Sequence, residues 1–532
     1  MRVDQQLFAV FAIASVVTAS MSSGGCGTSS SGGDGLTATS SSGGSSGGTT
    51  FGTDDEDGGD SGSFGGGGSG GLITSGVSAD ASGTAPTCAS GTGWLCSVDK
   101  SCSTSSPTTL TGKVYDPAGN NPLYNALVFI PNVVADLPVI TPGTNKCNAC
   151  DASVGDYVAI AQTKADGSFT LQNVPTGTDV PVTVQMGKWR RTVTVSTRSC
   201  ATTTVAAGTL RLPRSQKDGL NNQADMPQMA LLTGGCDDMA CFLTNIGIAD
   251  SEFTAPHAGG RVDVYQGLGL VGNGAALSNG TAGNCTTNTC PLWQSKASFE
   301  AYDIALFSCE CGEQTNTNES TAAYGYLSQW LNEGGKVFAS HFHYTWFNNT
   351  TGGFQGVATW LGTSIAGSAQ GPFAVNDPST FPKGVTYADW LQNVGAITSL
   401  GPPAPITLNN VATSVSTVNA QTTQEWIYQT GGGDGSAGDV KYLSFDTPLG
   451  GLPPAPDAGE SSTKNYCGKA VFTDLHTGGS LLAQYNSVPA MCPTGAKLST
   501  QQAAVEFLFF DLSACVADDS QPPPPPPPPP PQ

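Results

Sequence analysis

Two histidines one residue apart, His341 and His343 in "KVFASHFHYTW", stand where a short apolar run ends, in a chain with only four histidines. On an extended segment an H-x-H pair turns both rings to one face, a spacing that a divalent transition metal can use. Two other apolar runs end in polar chemistry: "IALFSCECGE" delivers Cys309, Glu310, Cys311 and Glu313, and "KAVFTDLH" delivers Asp474 and His476. Imidazoles and carboxylates gathered in one place can ligate a metal, act as general acid and base, or hydrogen-bond a polar ligand such as a sugar. His341, His476 and Glu310 are the candidates for catalysis, and His341, His343 and His476 those for a metal. A polar binding cleft would use the same three histidines with Asp474, Tyr344 and Trp346, because aromatic faces beside polar groups suit sugar rings. The plain alternative is that these histidines are structural, and Trp360 fits core packing as well as it fits a ligand. His257 in "TAPHAGG" is an isolated loop residue with no assigned role.

For those three strand ends to meet, their strands must lie side by side. From Met226 onward, "PQMALLTGG", "GRVDVYQG", "AYDIALFSCECGE" and "KVFAS" read as strands, with helical spacing in "CDDMACFLTNIG" and "ESTAAYGYLSQWLNEGG" between them. In the second of these, Tyr326, Leu327, Trp330 and Leu331 share one helical face. Apolar strands alternating with helices predict a parallel sheet covered on both faces, and such sheets bind ligands at the carboxyl ends of their strands. "CGKAVFTDLHTGG" adds another strand. "LSTQQAAVEFLFFDLSAC" is a closing helix, with Ser499 as N-cap and Gln502 at N3 forming a capping box.

Residues 108–213 follow a different pattern. Apolar residues alternate in short runs between turn residues, which predicts an all-β sandwich. Asp166-Gly167 reads as a hairpin turn, and Phe169, Leu171 and Val174 with Val180, Val182 and Val184 supply one face of a sheet.

Charged residues make up 11% of the chain and the net charge is −21, which leaves no basic surface for nucleic acid or anionic lipid. Residues 1–25 read as a signal peptide, since Arg2 precedes an apolar stretch from Leu7 to Ala19 that is too short to span a membrane. Residues 26–87, almost all Gly, Ser, Thr and Asp, cannot bury enough apolar area to fold, and a tether of that length reaches about 40–50 Å. Residues 88–107 form a small cysteine-containing segment, and 516–532 a polyproline tail expected to be an extended rod. Sixteen cysteines in an exported chain are read as mostly disulfides. Cys236/Cys241, Cys285/Cys290 and Cys467/Cys492 are the local pairs suggested by spacing, and Cys309 and Cys311 are expected to find partners elsewhere.

Three resemblances extend this reading. Cys26 before a Gly/Ser tract resembles the lipid-bearing cysteine of bacterial lipoproteins, although Ser23 stands where an aliphatic residue is usual; release after Ala19 is the alternative. That resemblance implies a cell-envelope protein held to the membrane by a lipid anchor only. Gly112, Asp116, Gly119, Pro122-Leu123, Ala126 and Val128, followed by "DGSF" at 166–169 and "VPTG" at 174–177, resemble the carboxypeptidase regulatory-like domain, a β-sandwich with no catalytic residues to carry over. "WLNEGGKVFASHFHYTW", within residues 226–515, resembles the nucleophile turn of class I glutamine amidotransferase-like proteins and implies a flavodoxin-like α/β fold. Counting from Gly334-Gly335, His341 occupies the position of the family's catalytic Cys, and His476 falls where its triad His would lie. The same exchange is a feature of ThuA-like proteins. Amide transfer needs an attacking thiolate, so glutaminase activity is not expected. The expected function is non-catalytic binding or scaffolding at the cell envelope, with carbohydrate or envelope components as partners. The alternative is a ThuA-like hydrolase or isomerase of sugar derivatives, with a divalent transition metal as the one cofactor the histidines suggest.

Overall fold

The computed structural model describes residues 93–143, 147, 154–268, 277, 279–287, 289–314, 319–362, 371–431, 439–452, 465–478, 489, 492, 495, 497–523, 525 and 526. The signal peptide, Cys26, the tether, Cys88, Cys150 and most of the polyproline run lie outside them.

The first seven strands are β1 (Thr109–Lys113), β2 (Leu127–Pro131), β3 (Tyr157–Gln162), β4 (Ser168–Gln172), β5 (Gly177–Met186), β6 (Trp189–Thr197) and β7 (Thr202–Thr204). They form two sheets, ordered β4-β1-β7 and β3-β2-β5-β6. Leu110, Phe169 and Leu171 from one sheet and Val128, Val180, Val182 and Val184 from the other are buried in a common core. Each such side chain contributes about 1.5–3 kcal/mol by leaving water. The turn at Asp166-Gly167 is present, with the Gly167 N–H donating to the Lys164 carbonyl and Gly167 at φ +74. It does not close a hairpin, however. β4 pairs with β1 in register Thr109↔Gln172, while β3 pairs with β2, so the turn carries the chain from one sheet to the other.

The remaining elements are, in chain order, β8 (Met229–Thr233), α1 (Met239–Asn245), β9 (Phe253–Thr254), β10 (Val262–Gln266), β11 (Gly283–Asn284), α2 (Lys296–Glu300), β12 (Ile304–Phe307), α3 (Thr321–Asn332) and β13 (Lys336–Ser340). After these come β14 (Ala358–Trp360), β15 (Phe373–Val375), α4 (Pro382–Asn393), β16 (Ala404–Ile406), β17 (Val415–Val418), β18 (Thr423–Gln429), β19 (Val440–Thr447), β20 (Gly468–Thr473) and α5 (Thr500–Ser513). One sheet runs β11-β10-β8-β12-β13-β20-β19-β18-β15-β16. Within it β10, β8, β12, β13 and β20 are parallel neighbours, and numbering those five in chain order gives 2-1-3-4-5. Beyond β20 the sheet turns antiparallel, beginning with the Tyr442↔Thr473 register of β19 on β20. The sheet is therefore mixed, not parallel throughout as the sequence pattern predicts. All eight residues of β19 are buried, Lys441, Ser444 and Asp446 among them, and a strand buried on both faces carries no signal of its direction.

α3 starts at Ser320, whose side chain accepts from the Ala323 N–H, and buries Tyr324, Leu327, Trp330 and Leu331. Tyr324 takes the place expected for Tyr326, which is only half-buried. α5 carries the capping box read from Ser499 and Gln502, and every residue of it except Thr500 and Asp511 is buried. A helix apolar all round must be covered on all sides. α5 packs on β13 and β20, and it also meets residues from the first segment: Phe507 stacks on Tyr124, and Phe510 meets the edge of Trp189. A buried Lys188–Asp303 ion pair at 2.6 Å and the Cys147–Cys467 disulfide join the same two stretches of chain.

The other disulfides with both partners described are Cys102–Cys200, Cys236–Cys311, Cys241–Cys492 and Cys285–Cys290. Of the three local pairs suggested by spacing, only Cys285–Cys290 forms. Cys236 and Cys311 follow adjacent parallel strands, β8 and β12, so sheet neighbours displace sequence neighbours. Cys309 is the one free thiol among the described cysteines, against the expectation that it would be paired.

Candidate functional site

The order of the parallel strands reverses between β8 and β12, and the side chains beyond their carboxyl ends meet those following β13 and β20. One carboxylate organises the meeting. Asp237, after β8, accepts the Ser340 hydroxyl at 2.7 Å, the Thr477 N–H at 2.8 Å and the Thr477 hydroxyl at 2.6 Å. Ser340 in turn accepts the Cys309 N–H at 2.9 Å, so all four strand ends are linked through one side chain. Gly234 allows the closest approach: a Cβ there would stand 2.1 Å from the Cys309 carbonyl oxygen. Beside Asp237, the Asp238 carboxyl is pushed up to about 7 by burial and by its neighbour's charge.

Over this scaffold lie Cys309, His341 and His476, with exposures of 0%, 8% and 0%. Cys309 Sγ is 3.4 Å from His341 Nδ1, and the two imidazole rings meet edge to face with centroids 5.1 Å apart. One ligand-capable atom from each of the three residues falls within 4.8 Å of the others. His341 is the first residue after β13 and sits at φ +45, in the left-handed region that a β-carbon disfavours. His476 donates from Nδ1 to the Asn410 carbonyl at 3.2 Å, which leaves its buried Nε2 without a hydrogen-bond partner. Burial, with His476 and His343 nearby, pushes His341 down to about 3, so its ring is neutral. Burial also raises the Cys309 thiol to about 12, although the N–H groups of Cys311 and Phe342 are directed at its sulfur.

His343 does not join this group. Residues 341–346 form a 3-10 turn instead of an extended segment, so the rings of His341 and His343 reach different surroundings. His343 Nε2 donates to the Ser308 carbonyl at 2.8 Å, and the ring sits 3.8 Å from Glu310 and 3.6 Å from Glu319. Burial alone would lower its pKa, but the nearby Glu319 and Glu310 carboxylates outweigh it and raise it. Glu310 is itself pushed up to about 7 by burial, against the pull of His343. Glu319 also accepts from the Tyr324 and Thr345 hydroxyls, each at 3.0 Å.

The other candidates disperse. The Asp474 carboxylate is turned to Ser414, accepting its N–H and its hydroxyl, each at 2.7 Å. Trp346 is fully buried among Trp293, Phe307 and Tyr324. Tyr344 hydrogen-bonds Glu313 and stacks on the half-buried Trp360. Sequence reasoning did not mark Asp237, Ser340 or Glu319, and it assigned Cys309 to a disulfide. The one available signal was parity: a lipid on Cys26 leaves fifteen cysteines and hence an odd thiol, though not which one.

No family model matches this chain, and no curated protein sequence matches it. Among solved structures, the cytoplasmic protein STM3548 from Salmonella typhimurium aligns at 8% identity over 44% of this chain and 81% of that one. The TM-score of 0.24 is too low for that likeness to bear on fold or function.

A thiol and two imidazoles converging on one buried point, with no carboxylate among them, can hold a soft or borderline transition-metal ion. Glu310, Glu319 and His343 also bring ligand-capable atoms within 4.8 Å of one another, but there the imidazole already has an anionic neighbour on each side. Asp99, Cys102 and Cys200 come equally close, but a disulfide consumes both sulfurs.

Proposed function

We propose that the chain is an exported, envelope-anchored binding protein whose sheet edge holds a transition-metal ion. The observation that carries this is the buried His476 Nε2, which has no hydrogen-bond partner and lies beside the Cys309 thiol and His341. A buried polar atom left without a partner costs about 1–3 kcal/mol, and a bound cation would satisfy it. The disulfides fit an oxidising compartment, which supports export. Cys26 would carry the lipid anchor, residues 108–213 would form a carboxypeptidase regulatory-like sandwich, and residues 226–515 an amidotransferase-like domain. The strand order 2-1-3-4-5 is that of flavodoxin-like sheets, and the left-handed backbone at His341 suits a residue held on a sharp strand-to-helix turn. Amide transfer has no support at this site, because an imidazole occupies the elbow and the neighbouring thiol is buried and neutral. Envelope carbohydrate is the proposed partner of the rim, where Trp360 stays partly exposed against Tyr344.

The test is metal content per full-length chain after purification and metal loading. Close to one ion is expected for wild type and for His257→Ala, with loss in His476→Ala. A folded wild-type chain that takes up no metal overturns the reading. A metal-dependent hydrolase or isomerase of sugar derivatives is the rival, with Asp238, next in the chain to the Asp237 carboxylate that links the strand ends, as its proton-transfer group. Turnover of sugar derivatives that is lost in Asp238→Asn while metal is retained would establish it.

A further inference from the structure

We infer that the ion bound at this site is monovalent copper, held in three-coordinate geometry by Cys309 Sγ, His341 Nδ1 and His476 Nε2. This rests on the metal-binding reading above and names its ligand. Three features of the geometry point to copper(I) over zinc. The donor set is one sulfur and two imidazoles, and among the described residues no fourth His, Cys, Asp or Glu atom joins it. Structural zinc takes four protein ligands and catalytic zinc fills its fourth position with water, whereas copper(I), which thiolate donors also select, is complete with three. The nearest structured carboxylate, Asp237, is already engaged by Ser340 and by both donors of Thr477.

Charge is the second feature. A thiolate and a monovalent ion sum to zero within the donor set, while a divalent ion in so buried a place would depend on the charges of Asp237 and Glu310, which reach the sulfur from outside that set. The third is how the donors are held. His476 donates its Nδ1–H to the Asn410 carbonyl, which fixes the tautomer and leaves the buried Nε2 lone pair free, as supporting hydrogen bonds do around metal-bound histidines. The N–H groups of Cys311 and Phe342 aimed at Cys309 Sγ would do the same for a thiolate. The 3.4 Å between Cys309 Sγ and His341 Nδ1 is close to the spacing of two donors that each stand about 2.0–2.3 Å from one ion. The twelve other described cysteines are all in disulfides, so Cys309 is the one sulfur there left free to ligate.

The experiment is anaerobic competition for copper(I) between the full-length chain and a chromophoric copper(I) chelator, with a parallel titration of zinc against a zinc indicator. Wild type is expected to bind one copper(I) and to prefer it to zinc by at least about 100-fold. Cys309→Ser and His476→Gln should each weaken copper(I) binding by at least about 100-fold, the upper end of what is lost when only an outer-shell partner is removed. A circular-dichroism melt should show both variants folded; if one is not, Cys309→Ala replaces it. Stoichiometric zinc with weak copper(I) binding overturns the copper assignment and leaves the metal reading standing. Copper(I) bound equally well by wild type and Cys309→Ser overturns the proposed ligand set. Binding of neither ion by the folded chain overturns both.

Discussion

His341 and His343 are two residues apart, and both are buried, yet the surroundings of the two rings are opposite in kind. Around His343, Glu310 and Glu319 supply negative charge on two sides and the Ser308 carbonyl accepts from Nε2, so the cluster is held by charge even though His343 Nδ1 and Glu310 Oε2 make no hydrogen bond. Around His341 there is a neutral thiol, a second imidazole and a nitrogen with no partner, so the cluster is uncharged and incomplete. What separates them is a short 3-10 turn, which sets the two rings against different residues of the segment that follows β12, Cys309 for His341 and Ser308 with Glu310 for His343. A histidine pair on a strand end says little until the neighbours of each ring are known: a ring between carboxylates stabilises the fold, whereas a ring among donors without charge is available to a ligand.

That contrast can be broken most forcefully at His343. His343→Ala leaves Glu310 and Glu319 buried without a cation, which should cost about 3–5 kcal/mol in urea or guanidinium unfolding of the full chain. A loss under about 1 kcal/mol would mean that the charge on this ring is not what holds the cluster.

A smaller effect is expected at a buried acid pair that has no cation, Asp116 with Glu506. Burial raises both carboxyls, Asp116 to about 6, and the Asn121 side chain donates to Glu506. A carboxyl whose folded pKa is raised stabilises the fold in its protonated state, so that stability is fully present below about pH 4 and lost as pH rises through about 6. Glu506→Gln should flatten this dependence and raise stability at pH 8 by about 1–3 kcal/mol. A wild-type profile that gains stability from this pair between pH 5 and 7 would reverse the sign and sink the assignment.

Smaller still, His476→Ala removes a ring whose Nε2 bonds nothing, and the metal-free chain should lose only about 1–2 kcal/mol, mostly to the cavity. His341→Gly relieves the left-handed backbone but empties a buried site, so the metal-free chain should lose no more than about 1–2 kcal/mol. Equal losses for His343→Ala and His476→Ala in thermal melts would erase the distinction between the two clusters.

Much of the scaffold was legible. Apolar runs bounded by glycines marked β8, β10, β12, β13 and β20, and the Ser499/Gln502 spacing marked the start of α5 correctly. Placing those strands side by side brought together the strand ends that carry Cys309, His341 and His476, although Cys309 itself was expected in a disulfide. Three things were not legible. The direction of β19 is set by its partner β20, since a strand buried on both faces carries no periodicity to read. The separation of His341 from His343 depends on a single turn of 3-10 helix, which an H-x-H spacing does not reveal. The pairing of Cys236 with Cys311 and of Cys241 with Cys492 depends on which strands and loops lie adjacent in space, and that arrangement is what left Cys309 unpaired.

The central claim is that the uncharged cluster, and not the charged one, is the ligand site. X-ray absorption at the metal edge of the loaded full-length chain tests it most directly. The account predicts one sulfur at about 2.2–2.3 Å and two nitrogens at about 2.0 Å, with the sulfur shell lost in Cys309→Ser. A first shell made only of oxygen and nitrogen, unchanged in Cys309→Ser, would place the ion among Glu310, His343 and Glu319 and contradict it.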